Sequence, residues 1–181
     1  MYILKKKTMA GAKTDKEKLN KTLTKVIELL HQHNFINWFI GYGTLLGIIR
    51  ENSCINNDDD VDIIIEKNQA ATLKKILTEN KFTFEISNNN IIKTKANRDY
   101  GSVDFYLASI DNDGNFHDPQ ENVTWSNCYV PDTDKKFIEY TWNEKLLYLP
   151  NNYEDKLNGR YGDNWKIPQN NKGRNPKRRV L

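Results

Sequence analysis

The run Asp58-Asp59-Asp60-Val61-Asp62 passes without a break into Ile63-Ile64-Ile65, and nothing else in the chain constrains the fold as tightly. The isoleucines are strongly β-prone and call for a buried strand. Side chains alternate along a strand, so Asp60 and Asp62 share one face while Val61 and Ile63 point into the core. Two carboxylates that close repel, and each costs several kcal/mol to desolvate unless a cation compensates. A hard divalent ion does this; Mg²⁺ takes one or two carboxylates and fills its other positions with water and substrate phosphates. A bare Asp run reads as a solvated acidic loop, but such a loop has no need of Ile63-Ile64-Ile65 directly behind it.

Upstream, the apolar run Phe35 to Ile40 suits a short buried strand. Gly41-Tyr42-Gly43-Thr44 breaks it, and Leu45 to Arg50 reads as a helix starting at Thr44. The Gly-Tyr-Gly-Thr turn supplies free backbone N–H groups at a helix start, a natural anion cradle. A lone Gly-x-Gly is a weak signal; beside Asp-x-Asp it is much stronger. Farther on, Val103, Phe105 and Leu107 share a core face and turn Asp104 the other way. Alone, Asp104 would be an ordinary solvent-facing residue. With the doublet present it becomes the expected third metal ligand or base.

The rest of the chain supplies a scaffold. Leu19, Leu23, Val26, Ile27 and Leu30 recur at helical spacing over 15–34, with Asp15 or Thr14 as cap. A second helix is expected over 69–80 and a last one over 152–161. Strands are expected at 82–86, 91–94, 101–107, 137–140 and 145–149. The reading is a single α+β domain over 15–168 with a mixed sheet flanked by helices. A basic extension, 1–14, and a basic, disordered tail, 169–181, flank it.

The net charge of +3 comes largely from Lys5-Lys6-Lys7 and the stretch Lys172 to Arg179, too little to point to nucleic acid. Cys54 and Cys128 show neither metal-ligand spacing nor a disulfide framework. No apolar run nears the ~18 residues of a membrane span. The N-terminus lacks a secretory signal, so a soluble, cytoplasmic protein is expected. His31 and His33 read as surface or capping residues, and His117 as a loop residue. Tyr161 and Trp165 could stack on a base or sugar, or form a packed C-terminal clasp.

Gly43-Thr44-Leu45-Leu46-Gly47-Ile48-Ile49-Arg50, followed by Asp58-Asp59-Asp60-Val61-Asp62-Ile63, closely resembles the LicD/fukutin family of phosphotransferases. Leu149-Pro150-Asn151-Asn152-Tyr153 and Arg160-Tyr161-Gly162-Asp163 with Trp165 to Pro168 resemble that family's closing segment. Relatives often carry Pro-Trp where this chain has Asn56-Asn57. The resemblance implies a nucleotidyltransferase-type fold. It also implies transfer of a substituted phosphate, phosphocholine or an alditol phosphate, from a CDP-linked donor to a sugar hydroxyl of a glycan, releasing CMP. Asp60 and Asp62 would then coordinate Mg²⁺ (or Mn²⁺), and Asp104 would complete the site or orient the acceptor. Gly43 and Thr44 would hold donor phosphate, Arg50 would steady phosphate charge or the Asp-rich loop, and Tyr161 would contact substrate. Two rivals stand beside this reading. One is a nucleotidyltransferase moving NMP from an NTP to another acceptor; the other is a non-catalytic nucleotide- or glycan-binding module.

Overall fold

A computed structural model describes residues 13–168 and 180–181. Most of the expected basic extension and tail lies outside the described residues. At the very end, Leu181 N–H donates to the Thr124 carbonyl and its own carbonyl accepts from Ser126 N–H.

Helix α1 (Lys16–Gln32) starts where Asp15 accepts a hydrogen bond from Glu17 N–H at 2.7 Å, which settles the cap in favour of Asp15. Its stripe of Leu19, Leu23, Val26, Ile27 and Leu30 is fully buried. The helix packs on β2 and β5. The two early histidines take different parts. His33 closes α1, while His31 Nε2 lies 2.8 Å from the Leu146 carbonyl, its ring against Trp38.

Strand β1 (Trp38–Ile40) pairs antiparallel with β2 (Asp60–Glu66), Ile40 opposite Ile63. The chain leaving β1 therefore emerges at the end of β2 where the aspartates stand. There it turns into α2 (Tyr42–Glu51), two residues earlier than the Thr44 start expected from the sequence. Gly41 caps the helix, and its close seat explains the residue: an added Cβ would lie 2.9 Å from Ile64 Cγ1.

After a short 3-10 turn (Lys67–Gln69) come α3 (Ala70–Glu79), β3 (Phe84–Ser87), β4 (Ile91–Thr94) and β5 (Ser102–Ile110). β5 runs parallel to β2 and antiparallel to β4. β6 (Phe116–Asp118) pairs with the far end of β5, and β7 (Val123–Trp125) with β6. The result is a mixed seven-stranded sheet with the path β1-β2-β5-β4-β3. β6 and β7 fall in the polar stretch where the sequence shows no strand pattern, and β6 carries His117, expected in a loop. A separate hairpin, β8 (Ile138–Trp142) and β9 (Lys145–Leu149), lies against α1 and β1. Helix α4 (Tyr153–Tyr161) packs on α2.

β2 is buried on both faces up to Ile65, which is why an unbroken Ile-Ile-Ile run suits it. Among the described residues, no helix is long and apolar enough to cross a membrane.

Candidate active site

The parallel pairing of β2 and β5 sets Asp62 directly beside Asp104, and Asp60 beside Ser102. Residues facing each other across a ladder project to the same side. Asp60, Asp62 and Asp104, far apart in the chain, thus gather at one end of the sheet, all three buried. The loop before β2 adds more charge. Carboxylate oxygens of Asp58, Asp59 and Asp60 lie within 4.8 Å of one another.

Asp62 is held in place by the start of α2. Its Oδ2 accepts hydrogen bonds from Gly43 N–H at 2.9 Å and Thr44 N–H at 3.3 Å. Thr44 Oγ1 accepts from Asp62 N–H at 2.8 Å, and Tyr106 O–H donates to Asp62 Oδ1 at 3.2 Å. The anion at this helix start is the protein's own carboxylate. Gly43 and Thr44, expected to hold donor phosphate, both turn their N–H groups to Asp62 and orient it. Glycine at 43 suits the site for a related reason. A Cβ there would sit 2.6 Å from Asp58 Oδ2 and 3.2 Å from Asp62 Oδ2.

Lys93 joins the cluster unannounced by the sequence. It stands opposite Asp104 on β4. Its Nζ donates to Asp60 Oδ2 at 2.9 Å and Asp104 Oδ2 at 3.1 Å. One ammonium is too little for this much negative charge. Burial, then the charge of Asp60, pushes the Asp104 carboxyl up to about 7 despite Lys93. Burial and Asp60 likewise push Asp58 up to about 6. Asp62 is raised well above the carboxylate range by complete burial and then by Asp60, Asp58 and Asp104. Asp60 is raised by burial, with Lys93 opposing. Burial works against the charge of Lys93, but Asp60 and Asp104 outweigh it and hold the ammonium protonated.

These facts test whether a divalent ion fits. Asp104 Oδ1 is buried and accepts no hydrogen bond, although Nζ lies 3.0 Å away, off the line of one. The donor set is all carboxylate oxygen, which suits Mg²⁺ or Mn²⁺ rather than a softer metal. The gathered carboxylates sit at proton affinities that a hard cation would lower. In donor type the residues fit a hard ion, and the carboxylates that come close enough together to share one are Asp58, Asp59 and Asp60.

One wall of the site continues into a polar and aromatic network. Tyr42 has a left-handed backbone at φ 39°, unusual for a bulky residue. Its ring packs edge-on against Tyr106, and its O–H donates to buried Asp118 Oδ2 at 2.5 Å. The Arg160 guanidinium lies 4.8 Å over the same ring and donates to Glu121 Oε2 at 2.8 Å. Asp118, Glu121 and Arg160 are residues the sequence reading missed; only Arg160 fell within a segment it had marked.

The remaining expected residues lie elsewhere. Arg50, in the last turn of α2, is turned to Glu51 and donates to the Trp165 carbonyl at 3.4 Å. It ties α2 to the C-terminal segment. Tyr161 ends α4, half-buried against the core. His117 pairs with Asp111 and Thr124.

Known structures share this arrangement of chain. The lincomycin-bound crystal structure of lincosamide antibiotic adenylyltransferase LnuA matches with a TM-score of 0.55 at 15% identity, covering 81% of this chain and 86% of that one. The solution structure of the antibiotic-resistance factor ANT(2'')-Ia matches with a TM-score of 0.58 at 11% identity, covering 84% of this chain and 75% of the other. At such identities the likeness establishes the fold alone, a nucleotidyltransferase fold. No curated protein matches the sequence. The family model described as "LicD/FKTN/FKRP, nucleotidyltransferase domain" matches residues 35–150, from the strand before Gly41 to the end of β9, and stops short of the closing segment around Tyr161. Spanning well over half of the sequence, and with the aspartates gathered at one end of the sheet, this match makes the chain a member of the LicD/FKTN/FKRP family, a transferase of the phosphate or nucleotide type.

Proposed function

We propose that the protein transfers a substituted phosphate, phosphocholine or an alditol phosphate, from a CDP-linked donor to a sugar hydroxyl of a glycan, with Mg²⁺ or Mn²⁺ as cofactor. The observation that carries this reading is the pairing of Asp62 with Asp104 across parallel strands, inside a LicD-family domain. In the reaction the acceptor oxygen attacks the phosphorus bearing the alcohol, and the bond from that phosphorus to the bridging oxygen breaks. CMP leaves with the bridging oxygen and its electron pair, and the proton of the acceptor hydroxyl is released to solvent.

Asp60 and Asp62 would hold the ion, and Asp104 would complete its site and orient the acceptor hydroxyl. Once bound, the ion would neutralise charge on the donor phosphates and on the leaving CMP. Gly43 and Thr44 keep the Asp62 carboxylate aimed. Tyr42 and Tyr106 form an aromatic wall beside it that limits water. Tyr161 remains a candidate to contact substrate from the end of α4.

The test is product release from a donor panel: CDP-choline, CDP-ribitol, CDP-glycerol, CTP and ATP, each with Mg²⁺ and with EDTA. Chromatography would separate CMP from pyrophosphate. CMP from a CDP-linked donor, abolished by EDTA, is the expected result, with mass spectrometry identifying the acceptor product. Pyrophosphate from CTP or ATP, without CMP from any CDP donor, would overturn the proposal in favour of nucleotidyl transfer. Tight donor binding with no turnover would favour a binding module.

A further inference from the structure

Tyr42 is the first residue of α2, and its backbone aims the start of that helix. The peptide between Tyr42 and Gly43 carries the Gly43 N–H. The dihedral angles of Tyr42 therefore direct a donor that Asp62 accepts at 2.9 Å. Those angles are unfavourable. At φ 39° the residue is in the left-handed region, where a bulky side chain persists only if its surroundings hold it. Whatever holds Tyr42 is thus part of what orients Asp62.

The ring is fixed from several sides. Its O–H donates to Asp118 Oδ2 at 2.5 Å, and the rings of Tyr106 and Trp125 meet it edge-on at 4.8 and 5.1 Å between centroids. These neighbours belong to β6, β5 and β7. The Arg160 guanidinium, 4.8 Å over the ring, comes instead from α4, beyond residue 150 where the family match ends. Arg160 is only 8% exposed. Its Nη2 donates to Glu121 Oε2 at 2.8 Å, but its Nε is buried without an acceptor. Burying a cation with a donor unpaired is costly unless something else meets its charge. The face of the Tyr42 ring does so, in a cation–π contact that strengthens away from water.

We propose that Arg160 is a positioning residue: lying on Tyr42, it holds that residue left-handed and so keeps the Gly43 and Thr44 N–H groups on Asp62. It acts through Tyr42 rather than on the substrate. Its effect on turnover rests on the CDP-donor reading; its effect on α2 does not.

The experiment is backbone amide hydrogen exchange, read by NMR on the full chain in EDTA. The amides of Ile63, Ile64 and Ile65 report global stability in the same sample. Relative to them, Gly43 and Thr44 should exchange on the order of 10-fold faster in Arg160→Met, a loosening of the size that losing a desolvated cation–π contact supports. Arg160→Lys, which returns a cation to the ring, should recover part of the protection. Equal changes at Gly43, Thr44 and the β2 amides, or none, would refute the inference, because Arg160 would then add only stability. Should Arg160→Met fail to fold by circular dichroism, Glu121→Ala decides by the same comparison, since it removes the carboxylate that anchors the guanidinium. Faster exchange at Gly43 and Thr44 than in β2 supports the proposal, and an unchanged ratio overturns it. With a donor that yields CMP, Arg160→Met should lower kcat on the order of 10-fold and leave KM within about 2-fold of wild type. A raised KM with unchanged kcat would make Arg160 a substrate contact and overturn the proposal. No CMP release from the wild type would sink the CDP-donor reading and leave the exchange rates to decide this inference.

Discussion

Replacing Asp104 by Asn should make the metal-free protein more stable at pH 8. In the folded chain the Asp104 carboxyl is raised from its ordinary 3.8 to about 7, by burial and by Asp60. The sign follows from linkage. A carboxyl raised on folding keeps a proton that the unfolded chain has released, so stability falls as pH rises from about 4 and the loss is complete above about 7. A pKa difference of ~3 corresponds to a loss on the order of 4 kcal/mol at pH 8. Asn has nearly the same volume and carries no charge, so it removes that loss. The pull of Lys93 on this carboxylate is already contained in the shift to about 7. The gain is on the order of 4 kcal/mol, or roughly 8–16 °C in Tm for a chain of this size. Differential scanning fluorimetry in EDTA at pH 8 and pH 5 tests it. At pH 5 folded Asp104 still holds its proton, so the advantage of the variant should shrink toward zero. Added Mg²⁺ should raise the wild-type Tm and leave the variant nearly unmoved. A lower Tm for Asp104→Asn in EDTA at pH 8, or equal shifts at both pH values, would refute the reasoning.

Other substitutions probe the neighbouring parts. Asp60→Ala and Asp62→Ala should fold, by circular dichroism, and show CMP release at least ~100-fold below wild type, since charge stabilisation at such centres is worth several kcal/mol. Full activity of either at saturating Mg²⁺ would remove that residue from the site. Gly43→Ala places a Cβ 2.6 Å from Asp58 Oδ2. It should lower turnover on the order of 10-fold or more, as a misplacement of about an ångström can, with Tm within a few degrees of wild type. Tyr42→Phe removes the hydrogen bond to buried Asp118. It should cost about 1–3 kcal/mol in urea unfolding, the penalty of leaving a buried acceptor short of a donor. An unchanged midpoint would mean that the Gln120 and Glu121 N–H groups, which also reach Asp118, suffice.

Much of this was legible in short segments. The stripe of α1 and the strands at 137–140 and 145–149 follow from local periodicity, which needs no knowledge of neighbours, whereas the choice of Asp15 over Thr14 as cap came from the structure. β6 and β7 escaped because three-residue strands in polar surroundings have too few positions to show alternation. Gly43 and Thr44 were recognised as N–H donors, but their acceptor was not. Choosing between a phosphate and Asp62 depends on where β1 delivers the chain. Arg50, which the family resemblance gives the task of steadying phosphate charge or the Asp-rich loop, stands one residue before the end of α2 and is hydrogen-bonded to Glu51 and the Trp165 carbonyl.

The sequence by itself determined that Asp60 and Asp62 share a face at the mouth of a buried strand, because alternation and the Ile63-Ile64-Ile65 run are properties of adjacent residues. It could also name Asp104 as a carboxylate turned away from its own strand's core face. Only the tertiary structure decided that Asp104 stands beside Asp62, that Lys93 bridges Asp60 and Asp104, and that Arg160 reaches Tyr42. Those meetings depend on which strands pair and in what register. Register is set by the burial of whole faces against the helices, a global balance that no short segment carries.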